Sequence, residues 1–151
     1  MDAREIVRIL TLRGQKLCVA ESLTGGLMSD SIVKVPGASK VFLGGVVSYD
    51  EHIKEKVLGV QAQTLQAHTA VSGETAREMA AGVRKLMGAD YALSATGYAG
   101  PDGNDVGLVY IGFAVENACE SHACRFTGDR EEIRRQSVET ALKVLLAHLR
   151  E

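Results

Sequence analysis

Apolar residues along the chain fall on two periods, and the switch between them predicts the elements. Ile6, Ile9 and Leu10 recur at helical spacing behind Asp2. They predict a helix over Ala3 to Leu12, capped by Asp2 and ended by Arg13-Gly14. Leu17 to Ala20 are small or apolar without interruption, as a buried strand demands. The chain then enters Ser22-Leu23-Thr24-Gly25-Gly26, rich in hydroxyls and glycine. Leu27, Met28, Ile32 and Val33 resume roughly helical spacing to about Lys34, where Val35-Pro36-Gly37-Ala38 breaks it. Residues 41–49 are β-rich and mostly apolar. They read as a central strand that bends, or is closely approached, at Gly44-Gly45. Asp50 to Val57 reads as a short polar helix closed by Leu58-Gly59-Val60, and 61–72 as a longer connection.

The second half is more regular. Ser72 caps a predicted helix over Gly73 to Met87 whose inward stripe is Ala76, Met79, Ala80, Val83 and Met87. A strand over Tyr91 to Thr96 leads into a second glycine-rich loop, 97–105. Val106 to Val115 and Glu120 to Phe126 predict a hairpin around residues 116–119. Asp129 caps a final helix, Arg130 to Leu149, with Ile133, Val138, Ala141, Leu142 and Leu145 facing inward. Strands alternating with helices, then a hairpin, predict an α/β fold. The expected form is a three-layer α/β/α sandwich on a mixed, mostly parallel sheet, as one domain over residues 1–151. Both glycine-rich loops follow strands. If those strands are parallel neighbours, the loops share one end of the sheet, where sites in open α/β sheets form.

Composition narrows the function classes. The chain has 151 residues, 46% hydrophobic and 24% charged, an ordinary balance for a globular domain. A net charge of -2 argues against a duplex nucleic-acid binder. No apolar run is long enough to span a bilayer, and the first residues carry acidic groups rather than a signal-peptide core, so a cytoplasmic protein is expected. Cys18, Cys119 and Cys124 form no CxxC pair, and His52, His68, His122 and His148 show no metal-ligand spacing. Neither a disulfide framework nor a metal site is expected, and no cofactor is called for.

The stretch from Cys18 to Gly26 is the one that carries chemistry. Free N–H groups at a strand-to-helix turn bind an anion, or stabilise an oxyanion formed by attack of a neighbouring serine. Ser22 is that serine. Its plainer reading is an N-cap, common at such turns.

The motifs together resemble the CinA C-terminal domain family, which includes stand-alone nicotinamide mononucleotide amidohydrolases. The matching residues are Ala20-Glu21-Ser22-Leu23-Thr24-Gly25-Gly26, Val35-Pro36-Gly37-Ala38-Ser39, Gly44-Gly45-Val46-Val47-Ser48-Tyr49, Lys54, Leu58-Gly59-Val60, Ala95-Thr96-Gly97, Ala99-Gly100-Pro101, Val109-Tyr110-Ile111-Gly112 and Phe126-Thr127-Gly128-Asp129-Arg130 with Arg134. They run in order through about the whole chain. Longer members carry an extra N-terminal domain, which this chain is expected to lack. The resemblance implies hydrolysis of nicotinamide mononucleotide to nicotinic acid mononucleotide and ammonia. The implied catalytic pair is Ser22 as nucleophile and Lys54 as base.

Lys54 must then be neutral near pH 7, far below the ordinary lysine range, through burial or nearby positive charge such as Arg130. Otherwise it is a solvated helix lysine. His52 is a rival base on a different helix face. Thr24, Gly25 and Gly26 are expected to donate to a phosphate or oxyanion, or simply to form a tight turn. Thr96 and Gly97 are expected to line the pocket, although Gly97 also fits a purely conformational role. Tyr49 is placed to stack on, or hydrogen-bond, the pyridine or ribose. Arg130 stands at a helix start, where the dipole disfavours cations, and this favours a phosphate role. Arg134 and Arg135 also fit a solvated face. The chain departs from the family around this pocket. Asn104 replaces a glycine, the loop passes directly to Asp105-Val106-Gly107, Leu108 stands where threonine is common, Tyr98 replaces a small aliphatic, and Glu51 an asparagine. An acid such as Asp105 or Glu51 beside a phosphate would repel it. The rival function is a non-catalytic nucleotide- or phosphate-binding module. A DNA-associated role fits the acidic chain poorly. The expected partners are a small mononucleotide and further copies of the chain, with no membrane.

Overall fold

The structure, a computed structural model, describes residues 2–151. Its helices are α1 (Asp2–Arg13), α2 (Leu27–Val33), α3 (Glu51–Leu58), α4 (Ala62–His68), α5 (Gly73–Met87) and α6 (Arg130–Leu149). Its strands are β1 (Leu17–Glu21), β2 (Phe42–Val47), β3 (Tyr91–Gly97), β4 (Leu108–Val115) and β5 (Ala118–Arg125). The strands form one sheet in the order β2-β1-β3-β4-β5. β1 pairs in parallel with β2 and β3, and β4 pairs antiparallel with both β3 and β5. Only β4 therefore runs against the other four, which is the mixed, mostly parallel sheet expected.

Alternation along the strands divides the core into two layers. Leu17, Val19, Leu93, Val109, Ile111 and Phe113 pack with the buried stripes of α1, α2 and α6. Cys18, Ala20, Ala92 and Ala114 face α5, joined by Leu58 and Val60. The small side chains on that second face let α5 lie very close. Ser94 Oγ reaches the Ala76 carbonyl at 2.6 Å. A Cβ on Gly112 would stand 2.3 Å from the same carbonyl oxygen, so β4 must carry glycine there.

Three expectations need correction. β2 is an edge strand, not a central one, and its residues alternate between half-buried and exposed. The connection 61–72 contains α4, whose start is anchored by a residue from another helix. Glu78 of α5 accepts from Gln61 N at 2.9 Å and from Thr64 Oγ1 at 2.6 Å. Residues 38–40 form a 3-10 turn that starts at the last residue of the predicted break and runs up to the expected start of the next strand region. The hairpin forms on a two-residue turn, Glu116-Asn117, with Val115 opposite Ala118. No described helix is long and apolar enough to cross a membrane. Because β1 and β3 are parallel neighbours, both glycine-rich loops leave the same end of the sheet.

Candidate active site

β1 delivers the chain to the end of the sheet, and Ser22 N donates to Ala95 O of β3 at 3.0 Å. The chain then reverses through Gly25 (φ 57°) and Gly26 (φ 110°), backbone conformations that favour glycine. Gly26, which has no side chain to offer, is the N-cap residue of α2, so Ser22 is not an N-cap. Gly25 N donates to Ser22 O at 3.1 Å and Gly26 N to Glu21 Oε1 at 3.1 Å. These two glycines were expected to donate to a ligand. Their N–H groups are already occupied, and they serve the turn instead.

The anion at the start of α2 belongs to the chain. Glu21 is fully buried, and its carboxylate accepts from Met28 N at 2.8 Å, Ser29 N at 2.9 Å and Ser29 Oγ at 2.6 Å, as well as from Gly26. The N–H groups of Leu23 and Thr24 have no acceptor among the described residues. Their carbonyls are held from α6 by the Arg134 guanidinium, with Nε to Leu23 O at 2.8 Å and Nη2 to Thr24 O at 2.9 Å. Arg134 is thus a bidentate clamp on the turn rather than part of a solvated face. Thr24 is buried, and its hydroxyl has no partner among the described residues.

Lys54 enters this turn from α3. Asp50 caps that helix, accepting from His52 N at 2.8 Å. Lys54 is only 1% exposed. Its Nζ lies 2.9 Å from Ser22 Oγ, 2.5 Å from Ser48 O and 3.2 Å from Tyr49 O. The two carbonyls only accept, so they take two Nζ–H bonds in either charge state. A neutral amine with both hydrogens so placed keeps its lone pair for the Ser22 hydroxyl proton, the arrangement a general base needs. Burial lowers the Lys54 pKa to about 8, against the opposing charges of Glu51 and Asp50. The expected help from Arg130 does not operate. His52 is exposed and does not approach Ser22. Ser48 is itself tied to β1, its N and Oγ donating to Glu21 O at 2.7 and 3.2 Å.

A pocket of about 240 Å³ adjoins the turn, lined by Leu23, Tyr49, Gly97, Tyr98, Ala99, Gly100, Asp102 and Arg130. Neither Ser22 nor Lys54 is on its wall, but Leu23 follows the serine and the Tyr49 carbonyl holds the lysine. Tyr49 is 65% exposed. The Arg130 guanidinium is oriented by Gly100 O at 2.5 Å and Tyr49 Oη at 3.3 Å. Gly97 is on the pocket wall, and a Cβ there would stand 2.6 Å from Val109 Cγ2 and 2.7 Å from Leu108 O. Its close approach to β4, and not its backbone angles, is therefore the reason for glycine. Thr96 does not line the pocket. It is buried on the same strand face as Ser94, and its hydroxyl donates to Ala70 O at 2.7 Å. The acid in the pocket is Asp102. Asp105 lies 4.0 Å from Arg125 and is not part of the lining.

No sequence motif assigns a role to Glu21, Ser48 or the clamp of Arg134. An acidic residue ending an otherwise apolar strand was the available signal for Glu21.

The family model described as the CinA C-terminal domain matches residues 2–149. A CinA-like protein of Thermotoga maritima is 46% identical over 149 residues, which are 96% of this chain and 36% of that protein. The chain thus spans about a third of the length of the curated relatives it matches. Among solved structures, the competence/damage inducible protein CihA of Agrobacterium tumefaciens is 37% identical with a TM-score of 0.95, covering 99% of this chain and 94% of that one. The competence damage-inducible protein A of Klebsiella pneumoniae is 34% identical with a TM-score of 0.96, covering 99% of this chain and 96% of that one.

Proposed function

The chain belongs to the CinA C-terminal domain family, and from that premise we propose that it is a serine–lysine amidohydrolase that converts nicotinamide mononucleotide to nicotinic acid mononucleotide and ammonia. The observation that carries this reading is the buried contact of 2.9 Å between Lys54 Nζ and Ser22 Oγ, with two carbonyls taking the other Nζ hydrogens. A lysine so buried is a poor surface cation and a good base.

Ser22 Oγ attacks the carboxamide carbon as its proton passes to Lys54 Nζ. The carbonyl oxygen becomes an oxyanion held by the free N–H groups of Leu23 and Thr24. The intermediate collapses, the Lys54 ammonium gives its proton to the departing nitrogen, and ammonia leaves. Water then attacks the acyl ester while Lys54 takes its proton, the Ser22 oxygen leaves with that proton, and the carboxylate product is released. Arg130 receives the phosphate, and Tyr49 borders the pyridine and ribose. The start of α2 is not available for the phosphate, because the Glu21 carboxylate fills it.

The test is to incubate the protein with nicotinamide mononucleotide and follow ammonia and nicotinic acid mononucleotide. Wild type turns over and a folded Ser22→Ala variant does not. Turnover unchanged in Ser22→Ala would refute the serine mechanism. Binding of the nucleotide without turnover would favour the rival, a non-catalytic binding module, for which the departure of the second glycine-rich loop from the family pattern at Tyr98 and Asn104 is the supporting feature.

A further inference from the structure

We infer that Glu21 is a positioning residue of this site, an internal anion that fixes both the nucleophile and its base; the inference rests on the serine–lysine reading. β1 is apolar from Leu17 to Ala20, and a fifth apolar residue would satisfy its packing. A fully buried carboxylate stands there instead. Placing a carboxylate out of water is unfavourable unless donors replace its hydration. Here four donors do so, and all of them come from the turn and the first residues of α2.

Those bonds decide which N–H groups of the turn stay free. Gly26, Met28 and Ser29 are taken by the carboxylate and Gly25 by Ser22 O, which leaves Leu23 and Thr24 beside the nucleophile. The same residue reaches the base through its backbone. Glu21 O accepts from Ser48 N at 2.7 Å, and Ser48 O accepts from Lys54 Nζ at 2.5 Å. The neighbouring strand makes room for the arrangement. A Cβ on Gly45 would stand 2.7 Å from Ser29 Oγ, the hydroxyl that binds Glu21 Oε2. An amide in place of the carboxylate would turn a donor toward donors on one side.

The test compares wild type with Glu21→Gln, Glu21→Asp and Ser29→Ala. The readouts are the rate of covalent labelling of Ser22 by a fluorophosphonate, kcat and KM for nicotinamide mononucleotide, and the Kd of nicotinic acid mononucleotide. Glu21→Gln lowers the labelling rate and kcat on the order of 10- to 100-fold, as a small misplacement of reacting groups does, while Kd stays within about twofold. Glu21→Asp restores part of the loss. Ser29→Ala removes one hydroxyl, keeps the fold, and gives a smaller loss of the same pattern. Wild-type labelling rates in Glu21→Gln and Ser29→Ala would overturn the inference, and so would equal losses of rate and product binding. Labelling needs no pyridine substrate. A wild-type protein labelled at Ser22 but inert to the mononucleotide would refute the proposed substrate, while slowed labelling in the variants would still support the role of Glu21.

Discussion

Raising the pH should activate this site through one group. Lys54 has its pKa lowered from 10.5 to about 8 because burial penalises the ammonium. At pH 7 this raises the neutral fraction from about 0.03% to about 9%, a gain of about 300-fold in competent base. With a serine nucleophile that must lose its proton to this amine, kcat/KM follows the neutral fraction. It should rise about tenfold for each pH step below the inflection, reach half its maximum near pH 8, and level off above about pH 9. The assay is initial ammonia release from nicotinamide mononucleotide across that range, with Ser22 labelling as a control independent of the substrate's own phosphate. Glu51 provides a signed perturbation. Its charge favours the ammonium form, so Glu51→Gln should move the inflection to lower pH and raise the rate at pH 7. An inflection near 6.5 would point to a histidine base, and a profile flat from pH 6 to 9 would remove Lys54 from the mechanism. A shift to higher pH in Glu51→Gln would contradict the electrostatic reasoning.

Arg134 holds both carbonyls of the turn that presents Leu23 N and Thr24 N, so Arg134→Met should lower kcat on the order of 10- to 100-fold with KM little changed, and Arg134→Lys should not restore the bidentate clamp. Equal effects on KM and kcat would assign it to binding instead. Arg130→Ala should raise KM for the mononucleotide and leave nicotinamide riboside almost unaffected, measured as the ratio of their kcat/KM values; an unchanged ratio would exclude a phosphate role. The folded protein gives up the Lys54 proton near pH 8 and the unfolded chain near 10.5, so the cost of burying the ammonium is full below about 8 and is relieved between those values. The Tm of wild type relative to Lys54→Met should therefore improve as pH rises through that window, and a constant difference would show that the buried amine does not titrate there.

Much of the fold is legible because it is written locally. The apolar run of β1, the breaks at Gly14 and Pro36, the Ser72 cap of α5 and the Asp129 cap of α6 are signals within a few residues of the structure they determine. What was not legible depends on distant partners. An apolar run reads alike in an edge and a central strand, so the edge position of β2 comes only from the pairing. The helix at 62–68 lacks a local cap and borrows Glu78 from α5. The site divides in the same way. The turn at 22–26 announces chemistry by its composition, but Lys54 sits in the polar run Glu51-His52-Ile53-Lys54-Glu55-Lys56, which reads as a solvated helix. Only the fold, which brings its Nζ against Ser22, Ser48 O and Tyr49 O, makes it a buried amine. Thr96 was misplaced for a simpler reason. Strand alternation puts it on the Ser94 face, toward α5, and not toward the pocket beside Gly97.

The central claim is that Ser22 and Lys54 act as one catalytic unit, and a double-variant cycle on ammonia release tests it most directly. Ser22→Ala and Lys54→Met should each remove on the order of 10³-fold or more of kcat/KM for nicotinamide mononucleotide, and the double variant should lose no more than the worse single. Losses that multiply in the double variant, or wild-type turnover in either single, would contradict the account.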